Sequence, residues 1–561
     1  MNPPFTSSTS GTSTSAAPEL FARKATGLVR EASAIDMYIF SMASTGPWGL
    51  NLALSMFYAL ATFPHTNLVL GLFIAAVLSV FSWVMMALLT ASMPRVGGDY
   101  AFVSRITHPA IAMAGNGSGA IVASVLAMGF WSVYLATIGL GPVLATFATL
   151  THNKFWGDLA NTIPANQTTV FLIAAVLIVV MGFLSFLSTK TSLQVENICY
   201  VIAGIGLLIT ALVLLFTSHQ SIVNAFNAFA QPYTHQANSY AYFLADAAKG
   251  GLKPTSQTGH DWASTLPTIY IGFGVVNYVW WSTYMAAELR RANDGPRQLR
   301  IMLGAGITQG LVQIAIAALL LDRVGEDFLG AINWVSTNDA AHYALPVGPY
   351  YSLFASLVAN NPLIDGLIAF TFLAWFYPAV YINIVAVVRS LFAYAFDGVL
   401  PRRLADVNER THTPVTAIAV TTVLGILAAV LSAYFQSTFF TVFSIAIFLS
   451  FGPSISSAVA GLVLSFSPRQ AELRRTTAAS MRWAGIPLLP VASVGTLVVA
   501  AFAFILLMTH VTTLTGLDAW KVVLGTVGVP IVFAAAYFVA RAVRRAQGFD
   551  LDLVYTEIPP S

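Results

Sequence analysis

Twelve apolar runs of about 20 residues or more follow one another along the chain. They lie near 34–62, 67–92, 112–150, 168–188, 192–217, 263–288, 298–321, 363–392, 414–435, 438–465, 484–509 and 519–543. A helix of that length matches the hydrocarbon thickness of a bilayer. Within lipid, every backbone N–H and C=O must find its partner inside the protein, which selects helices. The pattern predicts an all-α polytopic membrane protein with twelve transmembrane helices. Charge agrees: 9% of the 561 residues are charged and 57% are hydrophobic, against roughly 25% charged in a soluble domain.

An even number of spans leaves both termini on one side, and the Lys and Arg of the loops select the side. With the N-terminus inside, 21 of the 26 Lys and Arg fall on the cytoplasmic side, and Lys154, Lys249, Lys253, Arg323 and Lys521 fall outside. A miscounted span would mix the two sets, so both termini are expected in the cytoplasm, in a plasma membrane. The Ser, Thr and Pro-rich start has no charged segment ahead of an apolar core, and reads as a disordered tail rather than a signal peptide. The net charge of +3 is small and scattered, which excludes a nucleic-acid partner. The lone Cys199 forms no intrachain disulfide and reads as packing.

Within the first run, FSMASTGPWGLNLAL at 40–54 places Gly46, Pro47 and Gly49 within four residues. Unpaired backbone at membrane depth is tolerated where it faces protein or a wet cavity. A break from Ser44 to Gly49 therefore predicts a cavity. The freed N–H groups of one half-helix hold an anion and the freed carbonyls of the other hold a cation, which together suit a zwitterion. Five runs later, TIYIGFGVVNYVWWSTYMAAEL carries Gly272 and Gly274 around Phe273, with Asn277 beyond. Two breaks at equivalent places are the mark of a transporter built from inverted repeats.

Several loops now carry a family resemblance. MPRVGGDYAFVSRITHP at 93–109, Glu288 and Pro296 after the sixth run, VVRSLFAYAFDGVLPRRLADVNERTHTPVTAI at 387–418 and WAGIPLLP at 483–490 resemble the amino acid, polyamine and organocation (APC) permeases over about 30–545. The chain departs from the family in having Ala287 before Glu288 where paired acids are usual, and in the composition of both breaks. The resemblance implies a leucine transporter-like, five-plus-five inverted-repeat fold with broken first and sixth helices and two peripheral helices. Its units would be a cytosolic tail 1–30, a first repeat 31–217, an outer loop 218–262, a second repeat 263–465 that includes the outer loop 322–362, two last spans over 466–545 and a tail 546–561. Tyr240, Tyr242, Trp262, Trp334, Tyr343 and Tyr350 predict short helices in the two outer loops, lying over the outer mouth as lids do.

The resemblance further implies a midplane pocket. A substrate carboxylate would meet N–H groups around Ser44, Thr45, Gly46, Trp48 and Gly49, since Pro47 has none. An ammonium would meet carbonyls from Tyr270 to Gly274, through Gly272 and Phe273. Asn277, Tyr278 and Trp281 of the sixth span, Phe130, Trp131 and Tyr134 of the third, and Trp375, Phe376 and Tyr377 of the eighth would shape the side-chain pocket. Arg95, Asp99, Arg105, Glu288, Arg389 and Asp397 would form an inner gate or a structural set on the cytoplasmic face.

Asp36, Glu196, Glu288 and Asp365 read as lying near span ends, so a cationic substrate lacks a counter-ion. A neutral, bulky amino acid is the expected small-molecule substrate. No cofactor or metal is expected beyond a coupling proton or sodium ion, with proton symport ranked first on the family's habits. Some proton-coupled relatives carry a Lys within the fifth span, whereas Lys190 precedes it here. The bilayer is a partner, and the chain is a monomer or homodimer. An enzyme reading lacks a HExxH, a phosphate-binding Gly loop or a metal-spaced Cys and His set, and a channel reading lacks a filter or charge ring. A polyamine or cationic amino acid exchanger and a non-transporting sensor on the same fold are the alternatives.

Overall fold

The structure is a computed structural model that describes residues 30–44, 56–339, 341–346, 348–349, 351–358, 361–435 and 444–556. Among the described residues, ten helices are long and apolar enough to cross a membrane. They coincide with ten of the twelve predicted runs. The remaining two are the first and the sixth, the pair expected to be broken. The first begins with Ala34–Ala43, and 45–55 lie outside the described residues. The sixth divides into Trp262–Val276 and a 3-10 stretch, Asn277–Glu288.

Polar caps set the starts of several spans. Ser33 and Asp36 form a reciprocal capping box at the first, while Asn67, Ser188 and Asp261 accept from the backbone N–H three residues on. Each cap satisfies a donor that the helix itself leaves unpaired.

Burial orders the spans. In the eighth (Pro362–Phe396), 89% of the apolar stretch is buried inside the protein, against 17% in the twelfth (Ala519–Ala546). The eighth is central and the twelfth peripheral, with Val532, Val539 and Val543 exposed on the latter. Lipid supplies no hydrophobic drive between helices, so close approach relies on small residues. A Cβ on Gly129 would lie 2.6 Å from the Ala428 backbone, and one on Gly206 of the fifth span (Thr189–Phe216) 1.8 Å from Thr371 Oγ1 of the eighth.

The two outer loops form helices: His219–Thr234 and Ser239–Lys249 in one, Glu326–Asn338 and Tyr351–Val358 in the other. They pack on one another, with the Tyr240 and Phe328 rings stacked at 3.9 Å and Tyr240 Oη donating to the Val324 carbonyl.

Candidate functional site

Of the first-span candidates, Ser44 caps the C-terminal end of the helix Ala34–Ala43, and Thr45, Gly46, Trp48 and Gly49 lie outside the described residues. Ser44 Oγ is 2.8 Å from the Ser41 carbonyl and 2.9 Å from the Tyr278 carbonyl. Its single proton can serve one of them at a time. The second contact ties the end of the helix Ala34–Ala43 to the point where the sixth span changes geometry.

That point corrects the expected register. Gly272 and Gly274 sit inside the regular helix Trp262–Val276, and the backbone departs at Val276 (φ −127°, ψ −19°) and Tyr278 (φ −93°, ψ 19°). The Phe273 carbonyl is accordingly engaged by the Asn277 N–H within the helix. Gly272 answers a packing need, because a Cβ there would lie 2.8 Å from Ala75 Cβ on the second span. From Asn277 onward the chain winds as a fully buried 3-10 helix, a form that in mid-helix marks a hinge.

Around this break, backbone and side chains leave their own helix to bond elsewhere. Trp83 Nε1 donates to the Asn277 carbonyl at 3.0 Å and Ser82 Oγ to Asn277 Oδ1 at 2.8 Å. Tyr270 Oη donates to the Ser444 carbonyl and Tyr278 Oη to the Ile447 carbonyl, tying the sixth span to the tenth. The tenth is itself interrupted at Ser450 and Phe451, and the Phe451 ring lies edge-on to Phe273 and Tyr278. Asn277 Nδ2, Trp280 Nε1, Trp281 Nε1 and Ser282 Oγ are buried without a protein partner. These four buried donors fall within the six residues 277–282 at the break.

The eighth span is interrupted too, at Ala374 and Trp375, between Pro362–Leu373 and Phe376–Phe396. Trp375 packs edge-on to Tyr200, and Tyr377 stacks on Tyr381. Phe376 is packed so closely on Gly139 that a Cβ there would lie 2.6 Å from the ring. On the third span Phe130 and Trp131 are buried, Tyr134 is half-buried, and the three rings touch. A void of about 10 Å³ lies between the fifth and eighth spans, lined by Ala203, Gly206, Thr371 and Trp375 among others. A far larger cleft of about 840 Å³ opens elsewhere, between Val399–Arg402 and the twelfth span, away from both breaks.

The inner-face candidates resolve into three groups. Arg105 grips both oxygens of Asp397, at 2.7 and 2.9 Å. Arg389 Nε meets Glu288 Oε1 at 2.7 Å, and its Nη2 donates to Thr189 Oγ1. In both pairs the side chains are 6% exposed or less. Asp99 Oδ1 accepts from Asn116 Nδ2 and Tyr284 Oη, and Tyr394 Oη donates to Asn116 Oδ1. Burial pushes the Asp99 carboxyl up to about 7 against the opposing pull of Asn116 and Tyr284. The paired glycines before it adopt φ of +88° and +57°, and a Cβ on Gly98 would strike the Tyr284 ring at 2.7 Å, which explains Gly at that position. Arg95 Nη1 donates to the Pro94 carbonyl at 3.3 Å.

Two residues escaped the sequence reading. Tyr555, near the C-terminus, places its hydroxyl 2.9 Å from Tyr100 Oη and its ring 4.9 Å from the Arg105 guanidinium. Glu196, expected near a span end, lies two turns inside the fifth span and is fully buried. The helix begins at Thr189, earlier than the apolar run suggests.

Residues 37–535 match the protein-family model described as amino acid permease. Among curated proteins, none matches the chain.

Proposed function

The chain belongs to the amino acid permease family, a family of transporters rather than enzymes, and from that premise we propose that it is a secondary active transporter of neutral, bulky amino acids. The observation that carries this reading is the meeting of the end of the helix Ala34–Ala43 with the interrupted sixth span, Ser44 against the Tyr278 carbonyl, beside the buried unsatisfied donors Asn277 Nδ2, Trp280 Nε1 and Trp281 Nε1. The substrate carboxylate meets the N–H groups of Thr45, Gly46, Trp48 and Gly49. Its ammonium meets carbonyls freed where the sixth span leaves α-geometry, a few residues beyond Gly274.

Residues packed at the sixth-span break, Ser82, Trp83, Phe273 and Phe451, bring no carboxylate. A cationic side chain would be desolvated there without a counter-charge, whereas an apolar one gains from the aromatic walls. Twelve spans in two inverted repeats of five, with the last two outside, alternate the site between the two faces of a plasma membrane, with both termini cytoplasmic and a proton as the driving ion. The buried pairs Arg105–Asp397 and Arg389–Glu288 hold the inner face shut and break when it opens.

Binding to purified protein tests the site. Neutral bulky amino acids are expected to raise the thermal midpoint of the native protein, and Gly46→Leu to abolish that rise while the protein still inserts and folds. An undiminished rise in Gly46→Leu contradicts the proposed cavity.

A further inference from the structure

We propose that Glu196 is the residue that carries the coupled proton. This deepens the transport reading above and rests on it. Glu196 is completely buried, and neither carboxylate oxygen has a hydrogen-bond partner in the protein. Glu288 and Asp397, also buried, are each matched by an arginine, and Asp99 by two donors. An ionised carboxylate in Glu196's place would be strongly disfavoured without a counter-ion, so the neutral acid is the form this packing accommodates. A group that is buried neutral in one arrangement and ionises when wetted is what proton coupling requires.

Its surroundings reinforce the assignment. The fifth span packs against the helix Ala34–Ala43 of the first span, against the fourth, seventh and eighth, and against the loop helix Tyr351–Val358, which brings Tyr351. From the first come Asp36 and Tyr38, and from the eighth Tyr377 and Tyr381 at its inner half, with Arg389 beyond and Asp365 towards its outer end. The fifth span contributes Lys190, Cys199 and Tyr200, and the seventh Arg297 and Arg300 at its inner start; the fourth (Gln167–Leu187) has no titratable residue. Asp36, Cys199, Tyr200, Tyr377 and Tyr381 are those in electrostatic reach of Glu196. Arg389, which reaches this helix at Thr189, two helical turns below Glu196, is occupied by Glu288 and Thr189. Tyr377 Oη donates to the Ser192 carbonyl.

Asp36 supplies the link to the inner solvent. It is half-buried, accepts from the Ser33 N–H at 2.8 Å, and accepts from Nδ2 of Asn197, the residue next to Glu196, at 2.7 Å. Movement of the inner half of the first span away from the fifth breaks that bond and wets Glu196. The acid then releases its proton to inner water, and once the inner face has closed again the cost of burying the bare carboxylate draws a proton from the outer side.

The test uses the full chain in liposomes and the Glu196→Gln variant, which keeps the shape and removes the proton. The native protein is expected to accumulate a neutral amino acid when the outside is made acidic. Glu196→Gln is expected to lose that accumulation, keep exchange against preloaded substrate and lose the pH dependence of its rate. Native-like accumulation with an unchanged pH profile in Glu196→Gln overturns the proposal, as does native uptake driven by sodium and indifferent to pH. Infrared spectra give a readout independent of transport: the native protein at neutral pH should show a protonated-carboxyl C=O band that Glu196→Gln removes, and absence of such a band overturns the assignment. Failure of the native protein to move any amino acid would instead count against the transport reading, and the infrared band would still decide the state of Glu196. Should Glu196→Gln not insert, Glu196→Asp is expected to couple with a displaced pH profile, and an identical profile counts against a role for this carboxyl.

Discussion

Ser44 Oγ lies 2.9 Å from the carbonyl of Tyr278, 234 residues along the chain. The contact joins the C-cap of the helix Ala34–Ala43 to the kink in the sixth span. Removing the hydroxyl by Ser44→Ala should cost about 0.5–1.5 kcal/mol of net hydrogen bonding. The expected result is weaker substrate binding with normal expression, read as a several-fold rise in KM for uptake. An unchanged KM would separate the two breaks functionally.

The Arg105–Asp397 pair is bidentate and 5% exposed or less on both sides. Removing one partner leaves an uncompensated buried charge, which typically costs about 3–5 kcal/mol. Arg105→Ala should therefore lower the thermal midpoint of the purified protein and make the inner face more accessible to a membrane-impermeant thiol label placed at a nearby engineered cysteine. Arg105→Lys should rescue poorly, since an ammonium lacks the planar fork. Full rescue by Lys would mean that charge alone matters here.

Asp99 gives a pH dependence with a definite sign. Its carboxyl is pushed from the ordinary 3.8 to about 7, chiefly by burial. The fold therefore favours the protonated form. Its contribution is complete below 3.8, declines as pH rises towards 7 and is gone above it. Thermal stability of the native protein should fall across that interval, and Asp99→Asn should flatten this part of the curve. A steeper fall in the variant would reverse the assignment.

Tyr555 covers the inner pair from the C-terminal segment, through Tyr100 and the face of its ring. A cation over an aromatic ring contributes about 0.5–2 kcal/mol. Tyr555→Ala should loosen the inner face and raise the rate of substrate exchange by several-fold. Equal exchange rates would make the segment a passive cover.

The legibility of these features in the sequence varied for physical reasons. Long apolar runs announce themselves because lipid imposes a length and a composition. Proline is a weaker sign: Pro47 has no N–H to give and lies outside the described residues, yet Pro267 and Pro530 sit inside continuous helices. Glycine is ambiguous: Gly272 and Gly274 suggested the sixth-span break, but Gly272 is there to let Ala75 approach, and the chain departs from α-geometry at Val276. Partnership was illegible altogether. Nothing local to Arg105 says that its acid is Asp397, 292 residues away, and Glu196 looks like an interfacial residue until the helix is seen to begin at Thr189.

The most direct measurement is uptake of a labelled amino acid panel into liposomes holding the purified protein, with proton gradient, sodium gradient and preloaded substrate applied separately. Accumulation of a neutral, bulky amino acid under the proton gradient, lost in Gly46→Leu, is the predicted result. Absence of flux for every amino acid under all three conditions would contradict it.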